Sequence, residues 1–151
     1  MRTTRAVWCV ALACACSQSA DVDAGAAGTP AGAPVGELAS TLAVQVAADS
    51  VRFVLHVTNA EARPATLEFP TSQRFDFVVY TEEGAEVWRW SSDRAFAQVL
   101  GREVLPAGET LRYEAAWTPG ARRGRLVAVG VIPASNRRIE QRAVFKLGIG
   151  D

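Results

Sequence analysis

Residues 71–117 read TSQRFDFVVYTEEGAEVWRWSSDRAFAQVL (71–100) and then GREVLPAGETLRYEAAW (101–117). Phe75, Phe77 and Val79 fall on one side of an extended chain, and Asp76, Val78 and Tyr80 on the other. Glu82-Glu83-Gly84 supplies a turn and Val87-Trp88-Arg89-Trp90 a return strand. Pro106-Ala107-Gly108-Glu109 makes a second turn, after which Leu111, Tyr113, Ala115 and Trp117 alternate again. A two-residue period between glycine and proline turns predicts antiparallel strands with one buried face, because successive strand side chains point to opposite sides.

The pattern continues in both directions. Leu42, Val44 and Val46 share the inward face of 41–46, and Val51, Phe53, Leu55 and Val57 that of 51–57. Residues 59–64 read as a loop, and Thr66-Leu67-Glu68-Phe69 as a short strand stopped by Pro70. Residues 92–99 fit either an irregular link with one helical turn or a short edge strand. Two further strands follow, 125–132 and 142–149, the second with Ala143, Phe145, Leu147 and Ile149 on one face. Roughly eight short strands without helical periodicity predict an all-β, antiparallel β-sandwich. Phe53, Phe69, Phe75, Phe77, Trp88, Trp90 and Trp117 are expected in its core, with a carbohydrate-binding aromatic face as the competing reading. Asp76, Gln73 or a backbone carbonyl would then accept from buried indole N–H groups.

Several blocks of the central stretch also resemble a known family. Ser72-Gln73-Arg74-Phe75-Asp76-Phe77, Gly84, Val87-Trp88-Arg89-Trp90-Ser91, Phe96-Ala97-Gln98, Leu105-Pro106-Ala107-Gly108-Glu109 and Trp117 follow one another in the order of the BsuPI intracellular proteinase inhibitor domain. The resemblance covers 71–117 and extends back through 53–59. Ser72 departs from it, standing where the family often carries glycine. The resemblance implies an immunoglobulin-like shape, a structural role for these motif residues, and a protease as partner. The cysteine pair of true immunoglobulin domains is absent, so the likeness is one of shape.

The chain begins with Arg2 and Arg5 ahead of a short apolar run, residues 6–15. That run is too short to span a ~30 Å hydrocarbon layer, which needs roughly 20 residues, and reads as a cleaved export signal. Small residues lead to Cys16 and Ser17 in a pattern that resembles the bacterial lipobox. Cys16 is the expected lipidated residue, with Cys14 as the alternative; Arg5 crowds a cut before Cys14. An ordinary secretory cut a few residues later would release the chain instead. The organisation expected is a lipoprotein signal peptide at 1–16, a flexible Ala/Gly/Pro tether at 17–36 and the β-sandwich domain at 37–151. The tether's composition cannot offset its ordering entropy. All three cysteines lie at or before position 16, so the domain must hold together without disulfides.

The chemistry carried by the sequence is sparse. His56 is the single histidine and sits mid-strand, without the nucleophile and orienting acid of a triad around it. No histidine or cysteine set has metal-ligand spacing, and no glycine loop opens a helix for phosphate. No enzyme, cofactor, metal or small-molecule substrate is expected. The 16 basic and 16 acidic side chains balance, and without Arg2 and Arg5 the basic ones number 16 − 2 = 14, which argues against nucleic acid as a partner. Glu82, Glu83 and Glu86 read as solvated charge in a hairpin turn. Arg122, Arg123, Arg125, Arg137, Arg138 and Arg142 gather in the last two strands and their turns. They read either as edge protection or as an electropositive patch for an acidic partner or lipid head groups. Two functions follow: a proteinase inhibitor tethered to the cell envelope through its lipid alone, or a non-inhibitory immunoglobulin-like module that binds another envelope protein. Residues 101–103 and 134–137 read as exposed loops open to a protease, and nothing in the sequence selects between them.

Overall fold

The computed structural model describes residues 38–148; the signal, Cys14, Cys16, the tether and Ile149 lie outside them. Nine strands follow in order: β1 (Leu38–Val46), β2 (Val51–Asn59), β3 (Ala65–Phe69), β4 (Asp76–Thr81), β5 (Glu86–Arg89), β6 (Gly101–Leu105), β7 (Thr110–Trp117), β8 (Gly124–Ile132) and β9 (Ile139–Leu147). No helix occurs among the described residues. Every strand pair is antiparallel. One sheet has the order β1-β2-β7, a second β5-β4-β8-β9, and a two-stranded piece joins β3 to β6. The result is the antiparallel β-sandwich that the alternation predicts, with one strand more than expected.

That extra strand is β6, where 101–103 reads as a loop. Its five residues pair with β3 from Ala65↔Leu105 to Phe69↔Gly101. Only Leu105 among them is buried, so the apolar alternation that marks the other strands is missing. Residues 92–99 form turns and irregular chain, neither a helical turn nor a strand. The last strand starts earlier than 142, at Ile139, and Val46 is 44% exposed rather than inward.

Phe53 holds the two large sheets together. Its side chain, with no exposure, meets the rings of Phe77 on β4 at 5.8 Å, Trp88 on β5 at 5.6 Å and Phe145 on β9 at 5.9 Å. Each such pair contributes about 0.5–1.5 kcal/mol beyond the area it buries. Val51, Leu55 and Val57 share the face of Phe53 and are equally buried, as their spacing requires. Phe69, Phe77 and Trp117 are core residues as expected, whereas Phe75, Trp88 and Trp90 pack half-buried against the core's margin.

Asn59 is the joint between β2–β7 and β3–β6. The β2–β7 register ends at Thr58↔Thr110 and pairing resumes at Ala65↔Leu105. Between them the Asn59 N–H donates to the Glu109 carbonyl (2.9 Å) and its carbonyl accepts from Gly108 N–H (2.8 Å). The side-chain amide donates to the carbonyls of Arg63 (2.8 Å) and Leu105 (2.9 Å), and its oxygen accepts from Glu61 N–H at 3.0 Å. Gly108 takes φ 78°, a left-handed conformation that favours glycine, and so brings its N–H to Asn59. A residue read from sequence as the start of a loop is therefore completely buried and fully partnered. Asn59→Leu keeps the size and strands two carbonyls and an amide. Unfolding in urea should show a loss of at least about 1–3 kcal/mol, the cost of one stranded buried group.

Candidate functional site

Part of the motif, Phe75, Asp76, Trp90, Ser91 and Phe96, gathers around the long irregular segment 92–100. Asp76 opens β4 and is buried; its carboxylate accepts from Ser91 Oγ (2.6 Å), Ser91 N–H (3.2 Å) and Arg89 Nη1 (3.1 Å). Its partners are thus Ser91 and Arg89, not the indole N–H groups that the sequence suggested. Arg89 also grips Glu86 with two donors, Nη2 at 2.6 Å and Nε at 3.1 Å. Those bonds raise the Arg89 pKa and lower that of Glu86, so the pair stays charged across the neutral range. Trp90 N–H donates to the Phe77 carbonyl at 2.9 Å, which fixes the chain as it leaves β5.

From Trp90 the segment is held by rings and then by Ser72. The Phe75 ring lies 4.2 Å from Trp90, 5.0 Å from Tyr113 and 5.5 Å from Phe77, linking the core to the segment. Trp90 in turn carries Phe96 at 6.0 Å and the Arg94 guanidinium at 4.3 Å, and Arg94 Nε donates to the Trp90 carbonyl at 3.0 Å. Ser72 N–H donates to the Ala97 carbonyl and Ser72 Oγ accepts from Ala97 N–H, both at 2.9 Å. Beyond Ala97, residues 98–100 bulge into solvent before Gly101 enters β6 opposite Phe69. Arg74 occupies the space beside Gly101 where a Cβ would sit, its guanidinium 4.5 Å over the Phe69 ring and bonded to the Thr71 carbonyl at 2.9 Å. Burial and the neighbouring Glu103 carboxylate raise the Tyr113 pKa, so its hydroxyl stays protonated and donates to Glu103 at 3.1 Å.

The model of the BsuPI family, described as intracellular proteinase inhibitor, matches residues 38–137. The chain belongs to that family. Comparison with curated proteins finds no match. Among solved structures the chain is similar to a β-glucosidase from Erythrobacter marinus, at 15% identity and a TM-score of 0.34. That alignment covers 72% of this chain and spans 15% of the length of the enzyme.

In this BsuPI domain the motif residues occupy distinct places. Gln73 Nε2 donates to the Phe75 carbonyl at 3.1 Å, closing the turn that delivers Phe75. Gly84, at φ 88°, turns β4 into β5. Trp88 stacks on Trp117 at 5.8 Å and on Phe53 at 5.6 Å. Pro106, Gly108 and Glu109 form the turn that meets Asn59. Phe96 is half-buried and Gln98 exposed, both on the irregular segment. The sequence pattern missed Arg74, Arg89 and Arg94: Arg74 and Arg94 each cover a ring and bond a carbonyl three to five residues away, and Arg89 bridges the Glu86 and Asp76 carboxylates. Ser72 was visible only as a departure from glycine.

The arginine cluster does not form one patch. Arg125 stands at the start of β8 and Arg137 beyond its end, some 25–30 Å apart along a nine-residue strand. Arg125 pairs with Glu82 at 3.2 Å, Arg137 with Glu61 at 3.3 Å, and Arg138 and Arg142 share Glu140 at 3.2 and 2.9 Å. The Arg138 and Arg142 bonds lower the Glu140 pKa. The 134–137 turn is bonded to β3: Ser135 N–H donates to the Glu68 carbonyl at 2.7 Å, while the Asn136 amide accepts from Glu68 N–H and donates to the Thr66 carbonyl. Asn136 thus occupies the second edge of β3 as a neighbouring strand would. Of the two loops open to a protease in the sequence, one is a strand and the other is stitched to a strand.

Asp76→Ala removes the acceptor of all three bonds at Ser91 and Arg89. Chemical unfolding is expected to show a loss of about 1–3 kcal/mol, the usual cost of stranding a buried donor. Glu86→Gln, whose partner Arg89 keeps Asp76, should cost less than half of that.

Proposed function

We propose that this domain is a proteinase inhibitor of the bacterial cell envelope, working by protein–protein binding and without catalysis of its own. Family membership across residues 38–137 carries the reading. The fixed yet exposed 92–100 segment supports it, because a protease cleft favours a partner that is already ordered. Immobilising a free side chain on docking costs about 0.5–1.5 kcal/mol, and a segment held by Trp90, Ser72 and β6 has met much of that cost on folding. His56, mid-β2 with Thr41 and Arg112 as its register neighbours, has no triad geometry around it.

The N-terminal sequence supplies the address. An export signal ending at Cys16 takes the domain away from cytoplasmic proteases, so the target is a secreted or envelope protease. Lipidation of Cys16, or of Cys14, would hold the chain on a membrane through acyl chains alone, each buried CH₂ contributing about 0.8 kcal/mol.

Titrating the full-length chain, in mild detergent, against a panel of serine proteases should bring residual activity of at least one enzyme to an equimolar endpoint. Full activity of every enzyme under molar excess of the chain would contradict inhibition and favour a non-inhibitory envelope module. Cys16→Ala should abolish labelling by a palmitate analogue in cells; labelling that survives it but is lost in Cys14→Ala moves the anchor to Cys14.

A further inference from the structure

Resting on the inhibitor reading, we infer that residues 98–102 form the protease-contacting element, with Leu100 as the side chain that enters the primary specificity pocket of an enzyme selecting large apolar residues. Leu100 is 90% exposed, the most exposed of the large apolar side chains among the described residues. Val99 beside it is 57% exposed, and Val104 on β6 is 55% exposed. A leucine loses roughly 1.5–3 kcal/mol of burial free energy by standing in water, so such a position favours a partner that buries it.

The framework around Leu100 meets the requirements of a cleft ligand. Ala97 is fixed by both bonds to Ser72, and Gly101 by pairing with Phe69 under Arg74, so only residues 98–100 bow outward between two anchored points. Leu100, Arg102 and Val104 are exposed, whereas Glu103 is half-buried and Leu105 buried. A two-residue alternation therefore carries Leu100 and Arg102 outward along the same line into β6. In its sheet β6 pairs with β3 alone, which leaves its second edge without a strand partner among the described residues. An enzyme that binds its substrates as an added strand reads backbone groups on such an edge and takes alternate side chains in pockets. Arg102 carries a single exposed contact to Glu68 at 3.4 Å, worth little in water, and is free to turn toward an enzyme subsite. The other exposed apolar side chains, Val46 and Val144, lie on β1 and β9, outside this line.

The test compares the full-length chain with Leu100→Asp, Leu100→Arg and Val46→Asp against subtilisin, chymotrypsin, elastase and trypsin. Leu100 is 90% exposed, so thermal unfolding of its variants should match the parent and confirm an intact fold. Leu100→Asp should raise the inhibition constant for the apolar-selective enzymes by about 30-fold or more, the effect of removing a dominant interface residue. Leu100→Arg should shift inhibition toward trypsin, and Val46→Asp should change nothing. If the parent inhibits and Leu100→Asp inhibits equally well, the assignment of Leu100 is overturned while inhibition stands. If the parent inhibits no enzyme of the panel, the inhibitor reading and this assignment fall together.

Discussion

The contact between Phe75 and Trp90, ring centroids 4.2 Å apart, is the joint on which the exposed end of this molecule depends. On one side Phe75 reaches Phe77, which itself meets Phe53 in the core. On the other, Trp90 carries Phe96 and Arg94. With no cysteine in residues 38–148, an irregular segment of this length has no covalent brace. Its shape is imposed by ring packing, by the Asp76 carboxylate beneath Ser91 and by the Ser72 bonds to Ala97. The neutral Ser72 bonds contribute only about 0.5–1.5 kcal/mol each and those to the Asp76 carboxylate about 1.5–3, so rigidity comes from their number and from the buried rings beneath them.

The same economy governs the rest of the sandwich. Asn59 turns a continuous pair of strands around a corner by satisfying five hydrogen bonds at once. Asn136 protects the far edge of β3 with a side-chain amide in place of another strand. The Asn59 side chain serves backbone groups that would otherwise be buried without partners, whereas the Asn136 bonds lie at the exposed edge. Among the described residues no buried side-chain nitrogen or oxygen is left without one. Of the arginines that gather in the C-terminal sequence, Arg125, Arg137, Arg138 and Arg142 each pair with an acid, at three different carboxylates.

Strand identity was legible wherever one face is buried. Val51, Phe53, Leu55 and Val57 alternate because β2 crosses the core, and the reading of that face is correct to the residue. β6 was hidden for the opposite reason: Arg102 and Val104 face solvent and the glycine at its start has no side chain to mark a face. Val78 defeated the alternation from the other side, being buried on the face opposite Phe77, where its register partners are Val129 and Arg89. Phe75, Asp76, Trp90, Ser91 and Phe96 of the motif do gather by 92–100, yet Asp76, one of three acceptors offered for the indole N–H groups, bonds Arg89 and Ser91 instead. Its contacts with Arg89 and Ser91 depend on how β5 returns beside β4, a three-dimensional fact that no local pattern contains. Ser72 is instructive: the hydroxyl that a glycine would lack is the acceptor for Ala97.

Residues 92–100, though outside regular structure, hold one shape before any partner arrives. Backbone ¹⁵N relaxation of the free chain measures this directly. Order parameters for Arg94, Phe96 and Ala97 close to the rigid-backbone value of about 0.85 are predicted, with only a modest decrease at Gln98 and Val99. Values below about 0.6 across the whole segment would mean that the rings and the serine do not hold it.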